Sequence, residues 1–334
     1  MLLSGNKPIS LNKDGYEPFI DFLKAYAILC VVVGHALPVA LYDYTLFYIW
    51  GGMQVPMFVL VQTFHAYKKD VRPRFDFSKI CKRIIYPFLM IQAVIALFLI
   101  TFSSESIQSQ IIGTILGGGK GPGSYYPWIY IQMAVLLAIL WPVAHRFSIR
   151  QLLIPFIVVC VAFDILFSLI DLPEFIYRLM AVRYFFLVLL GLIWVRDGIK
   201  VNVLTVILSL LSIVVVVFFW MNKHNLEPIF FTTLWKTHRW VCYFFVSNFL
   251  IFALYWCYKI CNRYQWLQRM YSEMARSSYE IFLIQMAVFV LLPPVVGRLI
   301  DDSNIHFIIL PPLEMLFSIW LGIEFRRRII AKIS

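Results

Sequence analysis

Charged residues are scarce in this chain: Asp, Glu, Lys and Arg make up 14% of its 334 residues, against about 25% in soluble domains. A water-facing shell of ordinary density cannot be built from so few. Room for a separate soluble domain is lacking too, because apolar runs of roughly the 17–25 residues needed to cross a bilayer follow one another with short breaks. No G-x-x-x-x-G-K-[ST] stretch occurs, so nothing supports an ATP-driven mechanism. Cys30, Cys81, Cys160, Cys242, Cys257 and Cys261 fit neither metal-ligand spacing nor a secreted disulfide framework and read as small packing residues. The opening MLLSGNKPISLNKDGYEPF has no apolar core, so no cleavable signal is expected and the first span inserts by itself.

What is present is hydrophobic side chain, 61% of the total. Runs near 19–41, 44–67, 80–101, 125–144, 151–170, 176–195, 201–220, 239–259, 277–299 and 305–324 give about ten candidate spans. The expected fold is all-α, a single polytopic transmembrane helix bundle over 1–334. The net charge of +11 is distributed as a topology signal, not as a nucleic-acid surface. Lys and Arg collect at 68–83, 259–276 and 326–332, while the alternate segments hold few. That asymmetry puts both termini in the cytoplasm, with the chain a multi-pass protein of the cell's inner (plasma) membrane.

The first span, FIDFLKAYAILCVVVGHAL, carries Asp21, Lys24 and His35. Eleven residues separate Lys24 from His35, within about 20° of three whole turns and about 16 Å along the axis. The two share a face, and Asp21, three residues before Lys24, projects from nearly the same side. Ionisable groups cost several kcal/mol in a span, so they face a protein interior or wet cavity and mark a site or pathway. The competing reading is a snorkelling Lys24 and a His35 satisfied by a neighbouring helix. Glu314, about nine residues into the last span, is the second intramembrane candidate. Glu280, just after Ser277 and Ser278, can meet Lys24 at the same level, with Gln285 deeper.

Between the second and third spans, KKDVRPRFDFSKICKRIIYP holds seven basic residues against two aspartates. It serves as a positive-inside anchor, and Lys79, Lys82 and Arg83 also suit the phosphates of an anionic cosubstrate. Residues 102–127, with GGGKGPGSYYPW, read as a flexible external loop. Tyr125 and Trp128 close it either as an interfacial aromatic belt or as a platform for a sugar ring. Arg183, inside the sixth span, needs an acidic partner, water or a substrate.

Taken in order, FIDFLKAYAILCVVVGH, VPMFVLV, KRIIYPF, PWIYIQMAVLLAILWP, RYFFLVLLG and SSYEIFLIQ resemble membrane acyltransferase family 3, whose members include bacterial O-acetyltransferases of surface polysaccharides. Lys24 stands where that family usually has arginine, and Gln285 where it often has histidine. The resemblance implies an O-acyltransferase that moves acetyl from acetyl-CoA onto a hydroxyl of a cell-surface or lipid-linked carbohydrate, with no metal. His35, with an ordinary pKa near 6.5, suits acid/base work or brief service as a nucleophile. Lys24 and Asp21 would orient the donor held by Lys79, Lys82 and Arg83. Glu314, Arg183, Tyr125, Trp128 and Gln285 would lie toward the acceptor. A transporter or flippase for a glycan precursor, or a non-catalytic subunit of a polysaccharide assembly complex, remains the alternative. Oligomeric state is not legible.

Overall fold

The computed structural model describes residues 18–38, 41, 50, 54–69, 71–103, 106–116, 118–170, 176, 179–198, 207, 210–211, 214, 253–300 and 303–333. Among these residues the regular structure is helical and no strand occurs. We number the helices α1 Pro18–Ala36, α2 Gln54–Tyr67, α3 Phe77–Ile80, α4 Tyr86–Ser103, α5 Ile107–Leu116, α6 Tyr126–Arg146 and α7 Ile149–Ile170. After them come α8 Phe185–Asp197, α9 Gln265–Arg276, α10 Ser278–Leu299, α11 Ser303–Phe325 and the short α12 Ala331–Ile333.

Five of the described stretches are long and apolar enough to cross a membrane: Pro18–Ala36, Phe77–Phe102, Tyr126–Arg146, Ser278–Leu299 and Ile308–Ile330. The chain is a membrane protein. Of the other expected spans, 151–170 is helical throughout as α7, whereas 44–67 and 176–195 contribute the shorter α2 and α8. The expected spans 201–220 and 239–259 lie largely outside the described residues, as do Arg178, Glu227, Lys236, His238 and Arg239.

The chain divides into two compact units, each assembled from separated segments. The first comprises 1–23, 55–75 and 132–268. In it α7 packs on α8, and Gly191 of α8 meets α2 so closely that a Cβ there would lie 2.8 Å from the Thr63 side chain. Small residues at helix crossings let backbones approach in lipid, where packing rather than water expulsion drives association. Tyr67, at the end of α2, stacks on Trp141 and donates its hydroxyl to the Leu137 carbonyl at 2.7 Å.

The second unit comprises 24–54, 76–131 and 269–334. Its frame is α4 beside α10 and α10 beside α11. Three contacts fix α4 and α10 as parallel neighbours. The Tyr279 hydroxyl donates to the Ile84 carbonyl at 2.8 Å, Gln92 reaches Met286 in the middle, and Arg298 lies over the Phe102 ring at the far end. Against α11 the helices run antiparallel, and Gly322 is what permits the approach: a Cβ there would sit 2.5 Å from the Ile281 Cα. The starts of α4 and α10 and the end of α11 therefore share one end of this unit, the end that carries Lys82, Arg83 and Arg326–Arg328.

Residues 118–125 are folded against this frame. Gln92 lies eleven residues, about 16 Å, before the end of α4, and the ten residues of α5 supply roughly the 15 Å needed to return to its depth. There the Gln92 side chain accepts from the Lys120 backbone N–H at 2.8 Å and donates to the Lys120 carbonyl at 2.9 Å. Non-helical backbone at such depth must have its polar groups satisfied by protein, and Gln92, together with the Ser124 hydroxyl on the Gly119 carbonyl, does so. Gly121, at φ +92°, passes the Met286 backbone where a Cβ would fall 2.9 Å from its carbonyl oxygen. A loop read from sequence as flexible is thus docked, because its glycines allow an approach that side chains would block.

Candidate active site

Charge converges at the basic end of the second unit. Arg326, Lys24 and Arg83 all act electrostatically on Glu280, which is buried at the start of α10. Arg83 also acts on the Tyr130 hydroxyl, and the Tyr279 ring packs parallel to Phe282 beside it. Both arginines come from π-helical turns of related sequence, CKRII at Cys81–Ile85 and RRRII at Arg326–Ile330. Such wide turns occur often at functional sites, since the extra residue re-aims a side chain. Arg327 and Arg328 are engaged elsewhere, Arg327 with Glu273 and Glu324 at 3.3 Å each and Arg328 with Glu324 at 2.7 Å. Glu280 offsets one of the three cations, so among the described residues of this unit the cluster keeps a positive balance suited to an anion.

Deeper in the same unit stands a second group. His35 is accessible, and the edge of its ring meets Phe289 of α10, with centroids 6.2 Å apart. The Ile281–Gly322 crossing sets the register of α10 against α11. Four residues onward is Gln285 and four back on α11 is Ser318; eight onward is Phe289 and eight back is Glu314. Both helices rise about 1.5 Å per residue, so Glu314 lies at the depth of Phe289 and Ser318 at that of Gln285. Gln285 is fully buried and donates to the Pro122 carbonyl of the docked loop at 3.2 Å. Its Oε1 and the buried Ser318 Oγ have no hydrogen-bond partner among the described residues. An unsatisfied buried polar atom costs about 1–3 kcal/mol, so a pair at one depth marks a place where a ligand's polar groups would be welcome.

The two groups are joined by one face of α1. Lys24 is half-buried and His35 accessible, yet Ile28 and Val31, which lie between them on that face, are 0% and 2% exposed. Each end of the stripe is more open than its middle. Charge at one end and proton chemistry at the other are separated by apolar packing about 16 Å long.

The structure thus brings Lys24, Arg83 and Glu280 together, and sets His35, Glu314 and Gln285 within adjacent turns of one another's depth. Lys79 and Lys82 are exposed beside Arg83, the Lys79 backbone N–H being held by the Asp76 cap at 3.0 Å. Asp21 is buried. Tyr125 and Trp128 are half-buried where the docked loop enters α6, not on a free rim. Arg183 falls in the 3-10 turn Ala181–Tyr184, and its side chain is outside the described residues, as is that of Asp164. Sequence reasoning passed over Arg326, Gln92 and Ser318. The recurrence of a dibasic pair before Ile-Ile at 82–85 and 327–330 pointed to the second π-helical turn, although it pairs Arg83 with Arg328 and not with Arg326.

A family model described as an acyltransferase domain matches residues 17–323, nearly the whole chain and every residue of both groups except those of the final turn. No curated protein and no solved structure matches. Spanning helices, intramembrane His35 and Glu314, and this coverage agree: the chain belongs to membrane acyltransferase family 3, a family of acyl-transferring membrane enzymes.

Proposed function

We propose that this protein is an inner-membrane O-acetyltransferase that moves acetyl from acetyl-CoA to a hydroxyl of a cell-surface or lipid-linked carbohydrate, with the whole of 1–334 acting as one catalytic body. The observation that carries this reading is the pairing, in one unit, of a net-positive cluster around Glu280 with a histidine and a carboxyl group about 13–16 Å deeper. Anionic donor groups are held by Arg83, Arg326 and Lys24 through charge-assisted hydrogen bonds, with Lys79 and Lys82 drawing the donor in. The thioester arm reaches inward to His35.

At His35 the imidazole takes the proton of the acceptor hydroxyl as its oxygen bonds to the acetyl carbon; the C–S bond then breaks, and the thiolate leaves with the proton held by the imidazolium. A carboxylate at the depth of Glu314 steadies that imidazolium while it exists. The Gln285 amide and the Ser318 hydroxyl offer hydrogen bonds to acceptor hydroxyls or to the developing oxyanion. No step requires a metal.

The test is purified protein in proteoliposomes given radiolabelled acetyl-CoA and a panel of glycan acceptors. Label appearing in ester linkage on an acceptor supports the enzyme. Acceptor crossing the bilayer unlabelled, at every acceptor tried, would replace it with a transporter.

A further inference from the structure

Outside the acyl-transfer site, the first unit holds an apolar cavity of about 360 Å³ between α6, α7 and α8. Val143 and Phe147 form one wall, Phe156 and Val159 the other, and Phe185 closes the deep end. The one polar residue among the described lining, Gln151, turns its amide oxygen to the Ser148 backbone N–H and hydroxyl, each at 2.9 Å. The groove therefore offers hydrocarbon a hydrocarbon surface. It is open laterally, with Val143, Phe147 and Val159 at 41%, 39% and 40% exposure.

Its shallow end lies at the turn between α6 and α7, and there the chemistry changes. Arg146 ends α6 with its guanidinium 5.8 Å from the Phe147 ring centroid, Arg150 opens α7, and Arg196 of α8 donates to the Phe147 carbonyl at 2.7 Å. All three are exposed, and the acid beside them is Asp197, next to Arg196. From the turn to Val159 is eleven residues, about 16 Å, close to the half-thickness of a hydrocarbon core of roughly 30 Å. The dimensions fit one acyl chain of one leaflet, with its headgroup among the arginines.

We propose that this groove is a binding site for an anionic membrane phospholipid, its chain between α6 and α7 and its phosphate at Arg146 and Arg150. Positive-inside anchoring accounts for arginines at a helix end but gives no reason for a leaflet-deep apolar slot beneath them. Any lipid chain fills the slot; the arginines select the headgroup. A cation near the membrane surface contributes about three- to fivefold per residue toward anionic lipid, so two give a preference of roughly ten- to thirtyfold.

Native mass spectrometry of the full chain in detergent, titrated in parallel with phosphatidylglycerol and phosphatidylcholine of the same acyl chains, tests the site. Wild-type protein is expected to retain phosphatidylglycerol about tenfold more, and Arg146→Gln with Arg150→Gln to reduce that to the phosphatidylcholine level. The Lys pair at these positions should keep the preference. Val143→Trp, which fills the slot, should lower retention of both lipids. Equal retention of the two by wild type, a preference undiminished in the Gln pair, or full lipid occupancy in Val143→Trp would overturn the assignment.

Discussion

In the proposed reaction His35 and Glu314 carry the chemistry, and the setting of His35 differs from that of a packing residue. His35 keeps an accessible face although Gly34 and Ala36 beside it are buried. Gln at this position retains hydrogen bonding but does not titrate, so His35→Gln should lower acetyl transfer at least about a hundredfold, with the yield of folded protein and donor binding unchanged. Near-normal transfer by that variant would rule out proton transfer there. Glu314→Gln, measured in the same assay, should reduce the rate about tenfold or more through loss of imidazolium stabilisation, leaving the donor KM close to wild type. A KM change without a rate change would move Glu314 out of the chemistry. The Lys24–His35 spacing was legible because helical periodicity is a local property. Gln92 was not, since its partner is a backbone segment 28 residues away.

Among the elements, α1 and the α10–α11 pair carry the geometry. Of the five described stretches long enough to span, α1 is the most buried, so the helix that bears the polar stripe is surrounded mainly by protein. Gly322→Ala should weaken the α10–α11 crossing, because its Cβ would meet the Ile281 backbone, which cannot swing aside as a side chain can. A cost of roughly 1–3 kcal/mol is expected, read as a lower melting temperature in detergent together with lost transfer, since the register that sets Glu314 opposite Phe289 depends on that contact. A melting temperature equal to wild type would show the crossing to be looser than described. The five described apolar spans were readable from composition, whereas the docking of 118–125 was not. Its sequence, rich in glycine, is equally that of a free loop, and only the neighbours Gln92, Phe282 and Met286 decide between the two.

Within the second unit, the shared end of α4, α10 and α11 carries Lys82, Arg83 and Arg326–Arg328, and the positive-inside rule predicts that this end faces the cytoplasm. Cysteine accessibility scanning on a cysteine-free background should then find 68–83 unlabelled by an impermeant reagent from outside; strong labelling there would invert the topology and put the donor cluster on the wrong side. The proposed mechanism divides labour along α1, with donor affinity at one end and proton transfer at the other. Its most direct test is single-turnover transfer of labelled acetyl, followed against donor concentration in Arg83→Gln/Arg326→Gln and in His35→Gln. Loss of two charge-assisted contacts should raise the donor concentration for half-maximal rate by roughly tenfold or more and leave the saturating rate near wild type, while His35→Gln should do the reverse. A saturating rate lost equally in both, with donor affinity unchanged in the arginine variant, would contradict the account.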